Sequence, residues 1–252
     1  MKLSILTLNI EGQKHLDLVS KFLTVTRPQV VCLQEVFKAD LPFLAASIGD
    51  KTAWQFVPML IVDRENSFGL AARGEYGMAF MSSRPIRNLN WEYYFGTKSA
   101  LPLINDRESN TSNRAVLWVE VQSPSGVWLK IATTHFTWSP NGKNCRAQEI
   151  GLEKLHQIYR TKIKTGLFCG DFNAPRGGEI YQRLSENFID HIPQTVKTTL
   201  DSTLHRHQNL QYVVDYLFTT PEYQMKNVQL KSGLSDHLGI LGQLSLKSTL
   251  NS

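Results

Sequence analysis

The sequence predicts an α+β, or mixed α/β, fold built on two β-sheets, and three observations carry that prediction. Strand-like apolar runs outnumber helical segments. Two of those runs, 115–121 and 127–133, alternate apolar and polar residues with period two. They are joined by Ser123-Pro124-Ser125-Gly126, a turn suited to an antiparallel hairpin. Finally, six runs end in a short polar punctuation: Leu8-Asn9-Ile10, Gln34-Glu35-Val36, Thr134-His135-Phe136, Gly170-Asp171-Phe172-Asn173, Val214-Asp215-Tyr216 and Ser235-Asp236-His237. Carboxylates, amides and imidazoles repeated at strand ends suggest a rigid scaffold that delivers polar groups to one rim.

Strands are expected at 3–9, 29–34, 54–62, 76–82, 115–121, 127–135, 166–170, 212–219, 227–231 and 238–245. A helix over 14–26 is stopped by Pro28, and one over 38–48 by Gly49. A longer helix spans 144–163, where Ile150, Leu155, Ile158 and Tyr159 share a face with Leu152 at its edge. A shorter one covers 178–187. Residues 97–113, rich in Asn, Ser, Pro and charge, form the least structured stretch, and a loop of that length in a compact domain is more often functional than idle. It is the candidate substrate-facing loop. With no internal repeat and no break in composition, one domain is expected over 1–246, with a short tail from 247 to 252.

Twenty-seven Lys and Arg against 22 Asp and Glu give a net charge of +5, which favours polyanions modestly and leaves nucleic acid about as open as not. Cys32 and Cys169 lie in or beside apolar runs, so the three cysteines read as free thiols rather than disulfides. The N-terminus enters a strand directly, without a signal-peptide pattern, and no apolar run approaches the ~20 residues that span a bilayer. A soluble, cytoplasmic, monomeric protein is expected.

Each polar punctuation has an ordinary reading beside a chemical one. Asp171 and Asn173 share a side if the strand continues, where both can act on one bound group, and otherwise form an Asx-type turn. Glu35 ends an apolar run, where a charge is costly unless exposed or ligated; the alternative is that it caps the following helix. His135 and His237 are structural or catalytic. A buried Asp215 needs a partner, and an imidazole whose tautomer it fixes is a good one. His205-Arg206-His207 reads as a solvated loop rather than a second metal site, with a phosphate contact through Arg206 as the alternative. Taken singly these signals are weak, and their strength lies in the joint order.

That ordered set, together with Tyr76-Gly77-Met78-Ala79-Phe80-Met81-Ser82-Ser83-Arg84-Pro85-Ile86, resembles the endonuclease/exonuclease/phosphatase superfamily over about residues 3–241. The family's metal-dependent phosphoesterases include deoxyribonuclease-like nucleases, abasic-site endonucleases, neutral sphingomyelinases, inositol-polyphosphate phosphatases and tyrosyl-DNA phosphodiesterases. The resemblance implies a four-layer α/β/β/α sandwich of two packed mixed sheets, with the site at one end. It implies that Asn9, Glu35 and Asp236 hold a divalent cation, with Glu35 the principal ligand. Asp171 then positions or deprotonates the attacking water, and Asn173 orients the water or the phosphate. His237, paired with Asp215, contacts the scissile phosphate, and His135 the phosphate or leaving group. A donor set of Glu, Asp and Asn with two histidines and no cysteine suits Mg²⁺, with Mn²⁺ as a substitute, better than structural zinc.

The chain departs from the family in having Tyr212-Val213-Val214 where an Arg or Lys often precedes the Asp215 position, so one phosphate contact has to come from elsewhere. No partner carboxylate for His135 is evident, although Glu75 stands near the right place. The leading expectation is a Mg²⁺-dependent phosphodiesterase acting on DNA or RNA, with Trp138 beside the site to stack bases and Trp54 in the core. The alternatives are a lipid-headgroup or small-molecule phosphodiesterase or phosphatase, sphingomyelinase-like, and a catalytically inactive binding protein.

Overall fold

The computed structural model describes residues 2–108 and 110–247. In chain order the strands are β1 (Leu3–Asn9), β2 (Val30–Phe37), β3 (Ala53–Val62), β4 (Gly74–Ser82), β5 (Ile86–Phe95), β6 (Arg114–Gln122), β7 (Trp128–His135), β8 (Leu167–Asp171), β9 (Ile189–Asp190), β10 (Asp215–Thr219), β11 (Tyr223–Lys231) and β12 (Gly239–Leu246). The helices are α1 (Leu16–Thr26), α2 (Leu41–Ile48), α3 (Arg146–Ile158) and α4 (Glu179–Ser185). Two six-stranded sheets result, ordered β11-β12-β1-β2-β4-β3 and β5-β6-β7-β8-β10-β9. Each is antiparallel apart from one parallel pair, β1 with β2 and β7 with β8. A parallel pair needs a crossover, and the crossovers are α1 and α3.

The sheets pack face to face. Ile5, Cys32, Met78 and Phe80 of the first meet Leu117, Ile131, Cys169 and Leu217 of the second in one core. The alternate residues of β1 and β2, Leu6, Leu8, Val31 and Leu33, turn outward onto Val19 and Leu23 of α1 and Leu41 and Leu44 of α2. Central strands are therefore buried on both faces, which is why they read as unbroken apolar runs rather than as alternations. With helices also outside the second sheet, the α/β/β/α layering is as the resemblance implies. Gly170 has a physical reason: its φ is +133°, and a Cβ there would stand 2.0 Å from the Thr134 carbonyl oxygen.

Some expectations are corrected. Strand β5 was not expected, because it is interrupted by two register shifts and shows no clean period in its apolar residues. The two-residue β9 is too short to leave a pattern. The long helix ends at Ile158 and passes into a π-helical turn, Tyr159–Ile163. Strand β10 starts at Asp215 rather than 212, because the carbonyls of Tyr212, Val213 and Val214 accept from Thr199, Arg176 and Phe172 outside any ladder. Trp54 is 40% exposed, not in the core. The 97–113 stretch is partly docked, with Ile104 N–H donating to the Ile61 carbonyl at 2.8 Å and its side chain buried against Phe37 and Val62. All three cysteines are free; Cys32 and Cys169 are buried. Of the expected tail, residues 248–252 lie outside the described residues.

Candidate active site

Strand register alone gathers most of the polar punctuations. In the parallel pair β1/β2, Asn9 stands opposite Gln34; in β7/β8, His135 stands opposite Asp171; antiparallel β10 sets its first residue, Asp215, opposite the last of β8, Asp171. All of these fall at one end of the sandwich. The sheets are joined there by Asn9 Nδ2 donating to Asp171 Oδ2 at 3.1 Å. Below this bond, Gln34 Nε2 reaches Thr133 Oγ1 at 3.3 Å, a second polar tie through the core.

Glu35 reaches the rim by a backbone device. The β2–β4 register shifts between Gln34 and Val36, and Glu35 itself has a φ of +57°, uncommon for a residue with a long side chain. The bulge turns its carboxylate out of the strand, where the side chain stays 27% exposed and Oε2 accepts a 2.7 Å hydrogen bond from the Tyr76 hydroxyl. Tyr76 belongs to the strand motif Tyr76-Gly77-Met78-Ala79-Phe80, and its hydroxyl is a rim group that no local pattern in the sequence signals.

His237 enters from a loop rather than a strand. Its Nδ1 lies 2.8 Å from Asp215 Oδ2, and its Nε2 lies 4.0 Å from Asp171 Oδ2. Thr199 Oγ1 accepts from the backbone of Val214 and Asp215 at 3.0 and 3.2 Å and so fixes the start of β10. Asp236 is half-buried beside His237, with one oxygen accepting from Ser235 Oγ at 3.0 Å. His135 Nε2 stands 3.7 Å from Glu35 Oε1 and 3.6 Å from Asp171 Oδ2. These carboxylates are its neighbours, whereas Glu75 pairs with Lys38 at 2.5 Å.

The two histidines are pushed in opposite directions although they share one rim. Burial opposes protonation of His237, but Asp215, Asp236 and Asp171 around it outweigh that and lift its pKa well above the ordinary imidazole range. For His135, burial and the positive charges of Arg114 and His237 act in the same direction and hold it neutral. Asp171, buried and facing the Asp215 carboxylate, has its pKa pushed up to about 7 despite His237 and the Asn173 and Asn9 donors. Burial, with the Asp236 charge second, also raises Glu35.

Arg114 was missed in the sequence, where it reads as the first residue of a strand. It is 7% exposed, its Nη1 reaches only the His135 carbonyl at 3.4 Å, and its Nε is buried without a partner. A guanidinium has five donors, and leaving one unmatched in the interior is costly. Its charge is felt at His135, and it feels Glu35 and Asp171, so a buried positive group stands at the rim although Tyr212-Val213-Val214 carries none.

Asn173 does not share a strand face with Asp171. The chain leaves β8 at Asp171, Asn173 has a φ of +48°, and its N–H donates to Asp171 Oδ1 at 2.8 Å, an Asx-type turn. Its amide group reaches the Phe136 carbonyl at 3.1 Å, which brings it beside His135. Of the triplet expected to be a solvated loop, Arg206 and His207 are exposed, but His205 is half-buried with its ring 6.5 Å from that of His237. Trp138 is 43% exposed, three residues beyond His135.

Ligand atoms of Asp171, Asp215 and His237 lie within 4.8 Å of one another and are compatible with a metal. Glu35 has Asn9 as a hydrogen-bonding neighbour and feels the Asp236 charge, and oxygen donors of these types are the chemistry a hard cation prefers.

Comparison with known proteins agrees with this fold. Structures of similar fold include an endonuclease/exonuclease/phosphatase from Bacteroides vulgatus, with TM-score 0.71 and 18% identity over 98% of this chain and 100% of that one. The human Nocturnin catalytic domain with bound sulfate gives 0.69 and 19% over 98% and 94%. A mannosyl-6-phosphatase from Bacteroides thetaiotaomicron gives 0.64 and 13% over 97% and 100%. No curated protein sequence matches the chain. The model of the Endonuclease/Exonuclease/phosphatase family matches residues 6–237, almost the whole of the described fold and every rim residue, and the chain belongs to that family of phosphoester hydrolases.

Proposed function

We propose that the protein is a divalent-metal-dependent phosphodiesterase acting on nucleic acid. The observation that carries this reading is the convergence of Asn9, Glu35, His135, Asp171, Asp215 and His237 on one rim, tied across the two sheets by the Asn9–Asp171 bond. In this reading Glu35 and Asp236, with Asn9, hold Mg²⁺, for which Mn²⁺ can substitute. The Asp171–Asp215–His237 group is the poorer cation site in this reading, because the His237 Nδ1 is taken by Asp215 and Asp171 Oδ2 already accepts from Asn9. When bound, the cation supplies fixed positive charge against the phosphate oxygens.

The remaining chemistry falls to the side chains. Asp171, with a pKa near neutrality, takes a proton from water as the water oxygen forms its bond to phosphorus and the ester P–O bond breaks, the leaving oxygen taking up a proton from solvent to depart as the alcohol. Asn173 orients the water or the phosphate from the turn that Asp171 itself caps. Protonated His237, held by Asp215, and the buried Arg114 donate to the phosphate oxygens as charge develops. Neutral His135 stands between the Glu35 and Asp171 carboxylates, within reach of the phosphate or leaving group.

Nucleic acid as the substrate is supported by the net charge of +5 and by Trp138, exposed beside the site and suited to base stacking. The test is hydrolysis of single- and double-stranded DNA, abasic DNA, RNA, sphingomyelin and bis(p-nitrophenyl) phosphate with Mg²⁺, Mn²⁺ or EDTA. Cation-dependent cleavage of a nucleic acid is the expected result. Hydrolysis confined to the lipid would overturn the substrate assignment.

A further inference from the structure

The segment between Thr199 and Tyr212 is stitched directly onto the residues that carry Asp236 and His237. Leu200 pairs with His237 in an antiparallel bridge, Leu238 N–H donates to the Thr199 carbonyl at 2.7 Å, and Asp201 N–H donates to the Asp236 carbonyl at 2.8 Å. Asp201, 2% exposed, organises the chain on both sides of this junction. Its Oδ1 accepts from Thr203 N–H at 2.9 Å, Thr203 Oγ1 at 2.7 Å and Leu204 N–H at 3.1 Å, and its Oδ2 accepts from Gly233 N–H at 2.7 Å. The His205 N–H closes the turn on the Asp201 carbonyl at 3.0 Å. One buried carboxylate therefore fixes both the loop leading to Asp236 and the turn that carries His205. This degree of ordering is unusual for an idle surface loop.

The His205 ring is placed as firmly as its backbone. Its Nδ1 lies against the backbone of His207, 3.1 Å from the N–H and 3.2 Å from the carbonyl oxygen, so it either accepts from the first or donates to the second; the tautomer in which it accepts carries its proton on Nε2 and is the one a phosphate oxygen at Nε2 would select. The ring meets the His237 ring edge-on, centroids 6.5 Å apart and planes at 69°. The far end of the same segment reaches the Trp138 loop, where the Tyr212 hydroxyl donates to the Asn141 carbonyl at 3.4 Å. The two segments, one following His135 and one bridged to His237, thus touch each other at Tyr212 and Asn141.

Building on the phosphodiesterase reading, we infer that His205 is a substrate-binding residue whose Nε2 contacts an oxygen of the phosphate next to the scissile one. A donor one ring beyond His237 lies outside the reacting group yet on the path of a substrate chain. A nucleotide chain continues there with another anionic phosphate, whereas an isolated phosphodiester has nothing to offer.

The test uses the full-length protein with Mg²⁺ and two substrates: a thymidine dinucleotide carrying a terminal 5′-phosphate, and bis(p-nitrophenyl) phosphate, which has no second phosphate. His205→Ala should raise KM for the dinucleotide about tenfold, the loss of one hydrogen bond to a charged group, with kcat little changed. It should leave both constants unaltered for the simple diester, and His205→Gln, which keeps a donor, should recover part of the loss. Equal effects on the two substrates, or none on either, would overturn the assignment. The second measurement does not depend on turnover: the His205 ring NMR signals should move when thymidine 3′,5′-bisphosphate is titrated in, and unmoved signals would contradict the contact. Failure of the wild type to cleave either diester would count against the phosphodiesterase reading, while the titration would still decide the role of His205.

Discussion

The two ends of the sandwich differ in a way that locates the chemistry. Strand β8 runs from Leu167 to Asp171 and β10 returns from Asp215 to Thr219, so Asp171 and Asp215 mark one end, and Gly166 and Thr220 the other. The second end holds a depression of about 520 Å³ lined by Tyr159, Arg160, Lys164, Glu186, Phe188 and Glu222. Arg160, Lys164, Glu186 and Glu222 are all exposed. Solvated, such charges cost the fold little and have little reason to be poised for reaction. At the first end Asp171, Asp215, His135, His237 and Arg114 are each under 9% exposed, and pKa values are driven in opposite directions within a few ångströms. The fold tolerates a conflict there that it avoids at the other end, and a conflict of this kind is the physical mark of a site, whereas a depression alone is not.

Substitutions can break this contrast, and their effects should fall in order. Asp171→Asn and His237→Ala should each lower kcat by about 10³-fold, the usual scale for losing a positioned acid or base, in steady-state hydrolysis of an oligonucleotide. Arg114→Met should cost about 10²-fold, as expected for one donor to a developing oxyanion, with circular dichroism reporting an intact fold. Loss of activity should be accompanied by a gain in stability for Asp171→Asn. In the metal-free folded chain the Asp171 carboxyl keeps its proton up to about pH 7, against an ordinary value of 3.8. Its contribution is present below about pH 4 and lost as pH rises to about 7, by roughly a few kcal/mol. The asparagine variant should therefore melt at higher temperature than wild type at pH 8 in EDTA, and the difference should vanish near pH 4. Tyr76→Phe, which removes one hydrogen bond from a partly exposed carboxylate, should weaken Mg²⁺ binding by less than about tenfold in calorimetry. At the opposite end, Arg160→Ala and Glu222→Gln should leave kcat/KM within about twofold. A large loss there would remove the asymmetry on which the assignment rests.

How much of the molecule was legible in the sequence depends on how each feature is encoded. Strands β1, β2, β8 and β10 were legible because burial on both faces requires unbroken apolar runs, and the polar residue ending each run stands out against them. The hairpin β6–β7 announced itself through alternation and a Gly-containing turn. Strand β5 did not, because its bulges break the period. Arg114 and His205 were hidden for another reason. What places them at the rim is their position against residues distant in the chain, His135 and His237 respectively, and no local pattern records such proximity. The bulge at Glu35 was equally silent, since nothing in Leu33-Gln34-Glu35-Val36 announces a positive φ. The Asx turn at Asp171–Asn173 was one of two readings that the tetrapeptide allowed, and the geometry has both residues near the site through the turn rather than through a shared strand face.

The central claim is that the rim built from Asn9, Glu35, Asp171, Asp215 and His237 holds a divalent cation and cleaves phosphodiesters. Its most direct test is calorimetric Mg²⁺ binding to wild type and Glu35→Gln, with oligonucleotide hydrolysis measured on the same samples. The expected result is one coupled loss: weakened Mg²⁺ binding and abolished hydrolysis in Glu35→Gln, with no fall in melting temperature. Full cation-dependent hydrolysis by Glu35→Gln, or wild-type cleavage that persists in EDTA, would contradict it.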